Sequence, residues 1–98
     1  MSAATTYELV ADTQIFIGSG VLTAIEVITD GSNNATAILY DVSAAGSIAA
    51  GNKLQEITVL GTNHYGGRQW VEPVRFRNGL YLDISGTGAS AIIEYRKG

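Results

Sequence analysis

The sequence predicts an all-β fold: a single antiparallel β-sandwich or jelly roll of about eight short strands. Three observations carry this. The apolar segments are short and rich in Val, Ile, Thr and Tyr. Gly, Asn, Asp or Ser bound almost every one of them, and these residues mark turns between strands. No segment repeats its apolar residues at helical spacing. The one proline leaves most segments free to join a hydrogen-bonded ladder. Strands are expected at 7–10, 14–17, 21–29, 35–41, 53–60, 70–77, 80–85 and 89–96.

Residues 1–6 carry no packing signal and read as a mobile arm ahead of one domain over 7–98. The stretch GVLTAIEVITDGSNNATAILYD reads as a long hairpin, because residues 30–34 tolerate left-handed backbone. Within its first strand Val21, Ile25 and Val27 alternate with Leu22, Ala24, Glu26 and Ile28. Both faces are therefore apolar, and the strand is expected to be covered on both sides for part of its length. Residues 42–52 are small and nearly uncharged, and two glycines favour a loop across the sandwich end. Residues 61–70, GTNHYGGRQW, read as a second glycine-rich loop.

The stretch VRFRNGLYLDIS, residues 74–85, predicts an amphipathic hairpin. A three-residue loop of Arg77, Asn78 and Gly79 pairs Phe76 with Leu80 and Val74 with Leu82. These four then join Ile84 on one apolar face, whereas a two-residue loop would mix Arg75 and Arg77 into it. The turn implied is type I with Gly79 left-handed in a bulge. Arg75, Tyr81 and Asp83 fall on the opposite, polar face, with Arg75 placed across from the Tyr81 ring.

The chain has 98 residues, the size of one domain. A domain of this size buries only about 60–65% of the surface its unfolded chain exposes. Alanine supplies 12 of the hydrophobic residues, so the core is thin and further burial in a homo-oligomer is expected. There is no cysteine to form a disulfide or a thiolate metal site. The first ten residues lack the basic and apolar regions of a signal peptide, and no run reaches the length of a membrane span. The chain reads as soluble and made in a reducing cytoplasm.

Net charge is -3, unevenly placed. Residues 1–52 hold five acids and no Lys or Arg, while residues 53–98 hold all six cations and four acids. Either this is an ordinary solubilising distribution, or it marks complementary subunit surfaces. Nucleic-acid binding is not expected, because the cations are interleaved with acids and the whole is acidic.

Residues that carry chemistry are sparse. His64 is the only histidine, so a zinc site within one chain would need three carboxylates beside it. No nucleophile-elbow motif occurs. GSG at 18–20 and SGTGAS at 85–90 read as turns, since neither has the lysine or helix of a phosphate loop. No enzyme, metal or cofactor is expected. The best binding candidate is NHYGGRQW, residues 63–70, which gathers Asn63, His64, Tyr65, Arg68, Gln69 and Trp70. Aromatic, amide and Arg side chains are the composition of interface hot spots and of sugar sites. Trp70 serves equally well as a core anchor for the loop.

GVLTAIEVITDGSNNATAILYD, KLQEITVLG and VEPVRFRNGLYLDISGTGASAIIEYR together cover about residues 20–96. Their phrasing resembles small all-β virion proteins of tailed bacteriophages, which decorate or cement capsids or sit at fibre bases. The resemblance implies a non-enzymatic virion component, made in the host cytoplasm, that assembles as a trimer and binds the major capsid protein or other virion proteins. It supplies no site residues. A receptor- or glycan-binding module of a fibre or tail is the alternative. The candidate contact residues are Tyr65, Arg68, Trp70, Arg75, Tyr81 and Asp83.

Overall fold

The computed structural model describes residues 3–98. Its strands are β1 (Ala3–Thr5), β2 (Thr13–Ile17), β3 (Gly20–Ile28), β4 (Ala35–Tyr40), β5 (Lys53–Val59), β6 (Tyr65–Phe76), β7 (Gly79–Ser85) and β8 (Ser90–Lys97). They form two four-stranded sheets, in the orders β1-β8-β3-β6 and β2-β7-β4-β5. Every pairing is antiparallel, and four of them nest: β1 with β8, β2 with β7, β3 with β6, β4 with β5. That nesting is a long hairpin rolled up on itself, the jelly roll anticipated from the sequence. Most successive strands therefore lie in opposite sheets, and β4 with β5 is the one consecutive pair that is hydrogen-bonded.

The rolling corrects both expected hairpins. β3 belongs to the first sheet and β4 to the second, so the turn after β3 is an arch between sheets. β6 and β7 are likewise in different sheets, so Phe76 does not pair with Leu80. Phe76 pairs with Gly20, and Leu80 with Phe16. The inward set was nevertheless read correctly: Phe76, Leu80 and Leu82 are fully buried, and Val74 and Ile84 pack against the core. Period-2 alternation reports which residues face the core. It does not distinguish strands lying side by side from strands lying face to face.

The corner between β6 and β7 is held differently from the expected bulge. Gly79 has no positive φ. Instead the Asp41 carboxylate accepts the main-chain N–H groups of Arg77 at 3.0 Å, Asn78 at 2.7 Å and Gly79 at 3.3 Å. Glycine is required at 79 because a Cβ would run into the Val42 carbonyl oxygen and approach that of Phe16 to 2.7 Å. Asp30 organises the β3–β4 arch in the same way, accepting from the N–H groups of Ser32 and Asn33, both at 2.8 Å.

Three other expectations shift. Ala3–Thr5, read as part of an arm, pairs with β8, while residues 1–2 lie outside the described residues. The strand expected at 7–10 is reduced to a single bridge between Leu9 and Ala91. The 42–52 segment links neighbours of one sheet through two short 3-10 turns, Ala45–Ser47 and Ala50–Asn52, rather than crossing the sandwich end.

β3 explains its own mixed pattern. Its ladders with β6 and β8 both shift between Leu22 and Ala24; against β8 Thr23 is an extra residue, and against β6 the excess is 70–73 of β6. The bulge reverses the phase, so Leu22, Ile25 and Val27 all face the core and are buried. The bulge thus accounts for inward residues in both phases, while Val21, Ala24 and Ile28 lie half-buried on the outer face. The Thr23 hydroxyl donates to the Glu94 carbonyl at 3.0 Å and its Oε1 at 2.9 Å.

Candidate functional site

The six residues singled out from the sequence fall on separate surfaces. Tyr65, Arg68, Trp70 and Arg75 belong to β6, the edge strand of the first sheet. Tyr81 and Asp83 belong to β7 in the second sheet and lie on its outer face, since Leu80 and Leu82 face the core. Arg75 pairs with Val21, and Tyr81 with Gln14 and Tyr40, so the expected Arg75–Tyr81 contact does not form. The cation over a ring is instead Lys97, 5.7 Å from the Phe16 centroid.

Most of the segment read as a loop is strand. Only Gly61–Asn63 forms a 3-10 turn, and β6 begins at Tyr65. His64 stands between them with a φ of 66°. β6 then pairs with β3 as far as Gln69 and resumes at Val74, so 70–73 leave the ladder opposite Thr23. Trp70 is partly buried and packs against the core, the anchoring role weighed for it above. Val71 next to it is wholly exposed. Pro73 lacks an N–H group, and together with the break in pairing it protects the edge from indiscriminate strand addition. Arg68 Nη1 donates to Gln55 Oε1 on β5 at 3.3 Å, joining the open sides of the two sheets.

An open groove of about 620 Å³ lies against β6, β3 and β8. It exists beside Gly66 and Gly67, with Ala24, Ile92, Tyr65 and the carboxylates Glu26 and Glu94 around it. Gly67 is dictated by backbone proximity, because a Cβ there would strike the Ile25 carbonyl oxygen. Sequence reasoning passed over Glu26 and Glu94, which are distant in the chain and meet only through β3–β8 pairing. The adjacent glycines were the available signal, since glycine inside a strand marks close backbone approach.

On the second sheet, Asp12 Oδ1 accepts the Ile84 N–H at 2.9 Å, which brings its carboxylate beside Asp83. Burial, then the charge and hydrogen bond of Asp12, push the Asp83 carboxyl above the ordinary carboxylate range. Burial and the two carboxylates likewise push the Tyr81 hydroxyl up. Among the described residues no three His, Cys, Asp or Glu side chains are grouped as metal ligands. The surfaces offer apolar and aromatic groups, guanidinium groups and carboxylates. No protein-family model, curated protein or solved structure matches the chain.

Proposed function

We propose that the chain is a structural protein of a tailed-bacteriophage virion, and specifically a capsid decoration or cement subunit. The observation that carries this reading is the β6 edge at 70–73. A rigid sandwich holds a wholly exposed Val71 beside Trp70, with Arg68 a short step away. Exposed apolar groups flanked by an aromatic and an arginine are what a protein contact surface needs. The resemblance of its strand and turn phrasing to phage virion proteins supports the same reading. The activity is binding without chemistry: many copies bridge neighbouring shell subunits, and modest contacts add through multivalency. The partners are further copies of the chain and the major capsid protein, and the location is the virion.

The test is attachment of purified protein to emptied shells of the phage that encodes it. Saturable occupancy that falls for Val71→Asp and for Arg68→Glu supports the reading. The groove beside Gly66 and Gly67 favours a second reading, a glycan-binding module, because it combines a tyrosine with carboxylates and an amide. Failure to bind shells, with saturable binding to a host glycan, selects it.

A further inference from the structure

Cross-strand pairing sets the outer face of the first sheet in rows, since paired residues share a face. One row holds Arg75, Val21 and Arg96, from β6, β3 and β8. The rows beyond the bulge hold Gln69, Ala24 and Glu94, then Gly67, Glu26 and Ile92. The face is therefore basic towards one end and acidic towards the other. Among the described residues none of these four charges forms an ion pair: the pair found there is Lys53–Glu56, on the second sheet. Arg96 is one same-face step from Glu94 on β8, yet the two do not pair. The Glu94 carboxylate accepts the Thr23 hydroxyl.

The acidic end is also where the groove opens. Two carboxylates, a tyrosine ring and a floor that includes Ala24 and Ile92 form a receptor for a guanidinium, which binds carboxylates through charged hydrogen bonds and stacks on aromatic rings. Arginines of the matching kind stand on the same face. We propose that this face pairs with the same face of a second copy, the Arg75 and Arg96 row of each copy seated against the Glu26 and Glu94 groove of the other.

A two-fold axis lying in the interface and running across the strands does this. It opposes the two faces and reverses the strand direction, so the basic end of each copy meets the acidic end of its partner. β8 faces β8, which brings Arg96 towards Glu94. β6 faces β6, which brings Arg75 over Gln69, one same-face row from Gly67 and Glu26. Such a contact is isologous and closed. It predicts a dimer, not the trimer that the phage resemblance implies. The molecule measures 37 × 28 × 21 Å. One broad face is thus on the order of the ~800 Å² per partner of a standard interface.

Sedimentation equilibrium of the protein alone tests this independently of any shell, so failure to bind shells leaves the result standing, and the reverse. At low salt the chain should show twice its own mass, reverting towards one chain as salt rises. Arg75→Glu with Arg96→Glu should weaken self-association at least about tenfold, as should Glu26→Arg with Glu94→Arg. Each variant is first shown to melt cooperatively. If Glu94→Arg disturbs Thr23, Glu26→Arg alone makes the same test. An equimolar mixture of the two reversed variants should recover the double mass, because every contact is complementary again. A single-chain mass at all concentrations overturns the proposal. So does a three-chain mass, reversed variants that associate like the unmodified protein, or a mixture that stays monomeric.

Discussion

Asp41 accepts three consecutive main-chain N–H groups at the β6–β7 corner, the part played by a helix-capping carboxylate. Asp41→Ala should therefore lower the unfolding free energy by about 1–2 kcal/mol in urea melts, and Asp41→Asn by less. Gly79→Ala should cost more than either, because its Cβ has no space between two carbonyl oxygens. Equal or smaller loss at Gly79 would show that the corner relaxes. Asp83 gives a second residue-scale prediction, with its sign fixed by the raised carboxyl. The folded state holds that proton more tightly than the unfolded chain, whose value is near 3.8. Stability from this group is present below that value and is lost as pH rises through the raised one. Asp83→Asn should thus be more stable than the unmodified protein at neutral pH and indistinguishable from it in acid. A destabilised Asn variant at pH 7 would contradict this. Asp30 has the opposite sign: hydrogen bonds from Asn33 and Ser32 lower its carboxyl, so its contribution is present at neutral pH and fades in acid.

At the scale of elements, the bulge in β3 makes a distinctive prediction. Leu22 and Ala24 pair with Tyr95 and Glu94, which are consecutive on β8, so Thr23 is the surplus residue. Deleting Thr23 should keep Leu22, Ile25 and Val27 in phase and cost about 1–2 kcal/mol, for its lost hydrogen bonds. Deleting Glu26 should instead turn Val27 outward and abolish cooperative unfolding. If the two deletions behave alike in thermal melts, the bulge is misplaced. The same element shows what was legible in the sequence and what was not. Strand composition and turn residues predicted the all-β sandwich, and alternation predicted that Phe76, Leu80 and Leu82 face inward. Alternation could not reveal that 74–85 fold as an arch, because an arch and a hairpin bury the same residues. The polar partners Arg75 and Tyr81 were consequently placed together when the sandwich separates them. The β3 bulge was hidden because an extra residue has no signature beyond apolar residues in both phases. The three glycines in GTNHYGGRQW suggested a loop, although Gly67 is there to let β6 approach β3.

The whole molecule presents an exposed edge at Val71 and a charge-divided face on a two-layer frame, and its proposed activity follows from assembly. Val71 and Arg68 are exposed, so their replacement should move stability by less than about 0.5 kcal/mol. Loss of shell occupancy by these variants would then report contact, not folding. The most direct measurement is the number of chains bound per emptied shell, counted by quantitative gel densitometry over a titration, with the unmodified protein and Val71→Asp side by side. Saturation at a fixed ratio of copies to shell subunits, with occupancy by Val71→Asp reduced at least about tenfold at equal concentration, is the predicted result. No saturable binding by the unmodified protein, or undiminished occupancy by Val71→Asp, would contradict it.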